Sequence, residues 1–138
     1  MAASATPNFA VTPWHSDVSL SAADTARSNP VTAVVTLKTA PATGSLCTRI
    51  WVTAMGTTTA GVVRLFISND NGTTKRLVEE VIVPAITPST TVPVWSGEFR
   101  KPTLTKPIIL GPSTNNILYV TTNNAESFAV HAEGADFT

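Results

Sequence analysis

Residues 46–55, LCTRIWVTAM, alternate: Ile50, Val52 and Ala54 lie to one side, and Arg49, Trp51 and Thr53 to the other. Successive side chains of a β-strand point to opposite faces, so such a run buries one face and wets the other. A helix would scatter the same residues around its circumference. The pattern recurs along the chain. In DVSLSA, Val18, Leu20 and Ala22 alternate with Asp17, Ser19 and Ser21; in VTAVVTLK, Val31, Ala33, Val35 and Leu37 share a face. NILYVTT is apolar on both faces, which suits a central strand. SFAVHA turns Phe128 and Val130 inward and His131 outward. The runs VVRLFIS, KRLVEEVIV, VWSGEFR and PIIL bring the total to about nine short strands, with no segment of helical period. Turn chemistry separates them, as at Ser28-Asn29-Pro30 and GTTTAG. This spacing predicts an all-β, single-domain β-sandwich, jelly-roll-like, over residues 16–138. Without an internal repeat, a propeller or solenoid is not expected.

Residues 1–15 break the rhythm. Pro7 and Pro13 remove backbone donors, and Phe9, Val11 and Trp14 follow neither period. The segment reads as an extended N-terminal arm that docks its apolar residues, either on its own domain or on a neighbour. Its start lacks a basic region and an apolar core, so it does not read as a signal peptide. No window approaches the roughly 18 apolar residues of a membrane span.

Charge narrows the partners. The formal net charge is zero and charged residues make up 13%, where about 25% is usual. The difference is taken up by hydroxyls and amides, including 23 threonines, which suit half-exposed strands. The nine basic residues are scattered from Arg27 to Lys106. Phosphate backbones need clustered Lys and Arg, so no direct nucleic-acid contact is expected. Cys47 is the sole cysteine, which leaves no intrachain disulfide.

Ser68-Asn69-Asp70-Asn71-Gly72-Thr73-Thr74 has the look of a ligand motif. Its S-x-D-x-G-x-T order approaches the Asp-box of sialidase-like propellers, but Lys75 stands where that motif places an aromatic, and even there the box is a structural turn. A calcium loop wants six to eight oxygens, and Asp70 is the only acid between Asp24 and Glu79. A hairpin accounts for the stretch without a ligand. Arg64 would oppose Glu79, Phe66 Leu77, and Val62 Val81, with Leu65 against Val78 and Ile67 against Arg76 on the other face. The tip residues tolerate positive φ or bond their own backbone.

No other constellation carries chemistry. His15, Ser16 and Asp17 are consecutive at the arm junction, where they read as a solvated turn and not as a spatial triad. Glu79 and Glu80 are strand neighbours on opposite faces, so they cannot act as one glycosidase pair. His15, His131 and Cys47 show no zinc spacing. Trp14, Trp51 and Trp95 could form a platform for sugar or serve as core and interface anchors. The expectation is a protein that is not an enzyme and has no cofactor, no metal and no catalytic residue.

Three blocks carry a resemblance: TTAGVVRLFIS at residues 58–68, LVEEVIVPAITPS at 77–89, and NNAESFAV at 123–130. They resemble small virion structural proteins of tailed bacteriophages, most of all capsid cement (decoration) proteins. The resemblance covers about half of the chain. It implies a virion protein made in the host cytoplasm, bound to the outside of the capsid and cementing neighbouring major capsid subunits. It also implies self-association, with a homodimer favoured and a trimer possible, and no membrane partner. A tail or head-fibre component, or a carbohydrate-binding module, is the alternative. Pro7, Phe9, Val11 and Trp14 of the arm, with Pro84, Ile86, Pro88 and Pro93 of the loop PAITPSTTVP, are the candidate capsid or subunit interface.

Overall fold

Two antiparallel sheets face each other across one core in the structure, a computed structural model that describes residues 9–138. Nine strands make them: β1 (Ala10–Leu20), β2 (Val35–Thr39), β3 (Ser45–Ala54), β4 (Gly61–Ser68), β5 (Arg76–Val83), β6 (Ser96–Glu98), β7 (Ile108–Leu110), β8 (Ile117–Thr122) and β9 (Phe128–Phe137). One sheet runs β1-β9-β3-β6, with β7 also paired to β3, and the other runs β2-β8-β4-β5. The chain crosses between sheets at nearly every connection, so neighbours in sequence become partners across the core. The all-β sandwich expected from the alternation is the observed fold.

The alternating positions sort as their period demands. Ile50, Val52 and Ala54 of β3 are sealed inside, as are Phe128 and Val130 of β9. Val63 and Leu65 of β4 meet them from the second sheet, with Leu118 and Val120 of β8. All six residues of β8 are buried, because it lies between β2 and β4 and its outer face is also covered. There Phe66, Ile117 and Tyr119 form a second small cluster with Val34. Residues 21–34 help to cover this face. Ala23 bridges Thr122, and the Asp24 carboxylate accepts the backbone N–H groups of Ala26, Thr32 and Ala33 at 3.1, 2.9 and 3.1 Å. Burial pushes the Asp24 carboxyl up, but these donors and Arg64 outweigh it and hold the carboxyl below the ordinary range. This clamp explains why the strand expected from Val31 begins only at Val35: Thr32 and Ala33 are spent on Asp24, and Val31 stays 78% exposed.

The arm expected over residues 1–15 is corrected over its second half. Residues 10–15 belong to β1, which pairs with β9 from Ala10↔Phe137 to Leu20↔Phe128. Pro13 is compatible because β1 is an edge strand, where a missing donor can face outward. The same pairing carries β9 on to Phe137, five residues past the run SFAVHA. Pro7 lies outside the described residues.

The β4–β5 hairpin departs from the expected register by one residue on one side of a bulge, so that Val62 pairs with Ile82 instead of Val81 and Leu65 with Glu79 instead of Val78. Phe66↔Leu77 and Ile67↔Arg76 pair as expected. Between Leu65 and Phe66 the register shifts, Val78 becomes an extra residue, and Arg64 meets Glu80 instead of Glu79. The bulge satisfies a buried cation. Arg64 is 1% exposed, and its Nε donates to Glu80 Oε1 at 2.8 Å. Its remaining nitrogens reach Asp24 O and Asn123 Oδ1 at 3.3 and 3.4 Å. Glu79 turns instead to Arg100, at 2.8 Å.

Candidate functional site

The stretch from Ser68 to Thr74 is a closed structural turn. Asn71 and Gly72 have φ of 58° and 85°, the left-handed region in which glycine carries no penalty. Ser68 Oγ donates to Asp70 Oδ1 at 2.8 Å and accepts the Gly72 N–H at 2.9 Å; Asp70 Oδ1 also accepts the Thr74 N–H at 2.8 Å. The Thr74 backbone donor, together with Ser68, keeps the Asp70 carboxyl below its ordinary range. Lys75, in the place of the Asp-box aromatic, donates to Gly72 O at 2.7 Å and lies 5.2 Å from the Tyr119 ring. Asp70 is thus engaged within the turn. Asp70→Ala is expected to lower the melting temperature modestly, most visibly above the pH at which Asp70 ionises, and to leave any binding activity unchanged. Thermal melts alongside a binding assay check both points.

The residues assigned to an interface divide. Phe9 and Val11 are 60% and 56% exposed at the start of β1, and Pro84 and Pro93 are exposed. Trp14 is not free to reach a neighbour. It packs against the core, Nε1 donates to Ser45 Oγ at 2.8 Å, and Lys38 Nζ lies 4.4 Å from its ring. Ile86 also serves the core, and its backbone is tied to Thr58 in both directions. Pro88 is half-buried. The set therefore divides into exposed residues and residues engaged with the core.

Nor do the tryptophans form one platform. Trp95 is buried edge-on against Phe128, and Trp14 points inward. Only Trp51 stands on the outer face of the five-stranded sheet. There the Arg49 guanidinium lies over it at 4.4 Å, and His131 stacks beside it at 5.2 Å and 19°. Cys47 is sealed in the core, where burial pushes its thiol up to about 12 and leaves it protonated and inert.

The outer face of this sheet is the most chemically diverse surface among the described residues. Strand register arranges it in rows. Pro13, Ala135, Leu46 and Ile109 form an apolar row, followed by His15, Glu133 and Arg49, and then by Asp17, His131, Trp51 and Glu98. The Arg49 charge is balanced by Glu98 at 3.0 Å. His15 and Asp17 are two apart on β1 and therefore share the face, and His131 is the partner of Asp17 on β9. Asp17 Oδ1 contacts His131 Nδ1 and lies 3.2 Å from His15 Nε2. One donor atom from each of the three falls within 4.8 Å of the others. The two imidazole rings are nearly parallel, at 8° with centroids 6.0 Å apart. Two nitrogens and a carboxylate oxygen converging in this way can share protons or ligate a divalent ion.

Sequence reasoning missed this cluster. It placed His15-Ser16-Asp17 in a solvated turn, whereas they lie in the middle of a strand. The signal available was the i, i+2 spacing of His15 and Asp17, continuous with the alternation of Val18 and Leu20; the partner on β9 had no local signal. No protein-family model matches the chain, and no curated protein matches its sequence.

Proposed function

We propose that the protein is a structural virion component that binds the outside of a phage capsid and cements neighbouring major capsid subunits. The observation that carries this reading is the placement of exposed apolar side chains on opposite flanks of the sandwich. Phe9 and Val11 lie on the β1 edge, and Ile82, 77% exposed, lies on the β5 edge. Across the core β1 packs beside β2, whereas β5 packs beside β6, so the two edges are on different sides. A protein that bridges two subunits needs two contact surfaces, and exposed large apolar groups are the parts of a surface that gain from being covered. Leu104 and Ile109, at 82% and 65% exposure, extend the apolar surface near β7.

The strand order supports the same reading. With β7 set aside, β1-β9-β3-β6 against β2-β8-β4-β5 follows the wrapping of an eight-stranded jelly roll, an architecture used in virion shells. The three sequence blocks that resemble decoration proteins fall on β4 and its approach, on β5 with the loop after it, and on the β8–β9 turn with the start of β9. Cementing needs no catalysis. Each flank adds a modest interface, and two such contacts on one molecule, or four on a dimer, act at high effective concentration.

The test uses capsids from the encoding virus that lack the protein. Phe9→Asp with Val11→Asp on one flank, and Ile82→Asp on the other, are each expected to lower capsid occupancy at least tenfold, at a cost of about 1.4 kcal/mol or more per flank. Far-ultraviolet circular dichroism of the free variants should match the parent. Unchanged occupancy in both folded variants overturns the proposal.

A further inference from the structure

We propose that His15, Asp17 and His131 form a binding site for a divalent transition-metal ion of the zinc type on the outer face of the five-stranded sheet. The donors lie further along β1 than Phe9 and Val11, on the sheet face, and away from the β5 flank.

Geometry comes first. Zinc holds imidazole nitrogen at about 2.0–2.1 Å and carboxylate oxygen at about 2.0–2.2 Å, so two ligand atoms in a tetrahedral shell are about 3.4 Å apart. His15 Nε2 and Asp17 Oδ1 are 3.2 Å apart, and the three donor atoms lie within a 4.8 Å span. Small side-chain rotations bring them onto one ion. The backbone needs no movement, because residues i and i+2 of β1 and the cross-strand partner on β9 are fixed in position by nine consecutive residue pairs, from Thr12↔Asp136 to Leu20↔Phe128.

The surroundings suit a cation. His131 is held in plane by the Trp51 indole stacked on it, which limits the orientations that would disperse the donors. Asp17 supplies one negative charge within the site, and Glu133 stands opposite His15 in the next row. Arg49, the nearest cation on the face, is engaged by Glu98 and laid over Trp51. The side chains of His15 and Asp17 are 52% and 56% exposed, so an ion can enter directly from solvent and keep an open coordination position there. Two nitrogens and one oxygen select borderline ions such as Zn²⁺, Ni²⁺ and Cu²⁺. Ca²⁺ and Mg²⁺ prefer shells of oxygen.

The experiment titrates metal-stripped, untagged protein with ZnCl₂ by isothermal calorimetry at neutral pH. One saturable equivalent per chain is expected, with CaCl₂ giving none. Asp17→Asn and His131→Ala should each weaken zinc binding by about tenfold or more, since even outer-shell changes at metal sites cost 10–100-fold. Ser96→Ala, on the same face, should bind as the parent does. CuCl₂ supplies a second readout, because a paramagnetic ion at His131 should quench Trp51 fluorescence. That quenching should be absent from Trp51→Phe and from the folded His15→Ala/His131→Ala variant. No saturable zinc heat overturns the proposal, and so does stoichiometric binding that survives Asp17→Asn and His131→Ala together. Capsid occupancy by these variants is expected to equal the parent's, so failure here and failure of the cementing role are read separately.

Discussion

Glu80→Ala is expected to lower the stability of the sandwich by about 3 kcal/mol, because it strands a buried cation. The Arg64 side chain is 2% exposed, and Glu80 is its only anionic partner within salt-bridge distance among the described residues, shared with Arg27 at 2.6 Å. Without Glu80 the guanidinium keeps only two long contacts to neutral oxygens, Asp24 O and Asn123 Oδ1. For a chain of this size the melting temperature should fall by about ten degrees. Adding Arg64→Met to the same variant should recover most of the loss, because the uncompensated charge goes and an apolar stem of similar length remains. If the double variant is no more stable than Glu80→Ala, the buried charge is not the cause.

The same pair gives a pH dependence of definite sign. The Arg64 hydrogen bond holds the Glu80 carboxyl below its ordinary value of 4.5, against burial, with Arg27 adding to the effect. A lowered native pKa stabilises the fold above the unfolded-state value, and this stabilisation is lost as pH falls through the native one. Acid unfolding below about pH 4.5 should therefore be shallower in Glu80→Gln than in the parent. Asp24 has a lowered pKa of the same sign, so the acid limb should flatten but not vanish.

Gly134→Ala is expected to cost about 3 kcal/mol, at the upper end for overpacking. A Cβ at this position would lie 1.8 Å from the carbonyl oxygen of Leu46 and 2.9 Å from Cζ2 of Trp14. Neither neighbour can yield. Leu46 O is backbone beside the bulge between Cys47 and Arg49, and the Trp14 indole is anchored on Ser45. Gly56→Ala, where nothing lies within 4 Å, serves as the control and should melt within a degree or two of the parent, about the size of an ordinary surface change. Equal melting temperatures for the two variants would show that β3 can relax around residue 134.

Much of the fold was legible because alternation is local. Ile50, Val52, Phe128 and Val130 declare their face within a few residues, and Ile117 and Tyr119 alternating with Leu118 and Val120 mark a strand wet on neither side. What alternation cannot give is the partner. Nothing near Asp17 announces His131, more than a hundred positions away, so the metal-type cluster became visible only once β1 and β9 were paired. Pro13 misled because proline excludes a central strand but not an edge. The hairpin register was correct at Phe66 and wrong at Arg64 for a similar reason. The bulge at Val78 follows from the burial of Arg64 by residues 21–34, a tertiary effect that a two-strand register does not contain. The chemistry of the turn at Asp70 was self-contained, and there the local reading was sufficient.

The pairing of β1 with β9 also sets an order of events. The β4–β5 hairpin closes over a handful of residues, whereas Leu20 must find Phe128 and Ala10 must find Phe137. Closing a loop of that length is entropically slow, since the contacts that reward it form only after the ends have met. While a ribosome is still making β9, the first strand has no partner in its own sheet. The flank bearing Phe9 and Val11 is therefore completed last, once β9 has been synthesised and has paired with β1.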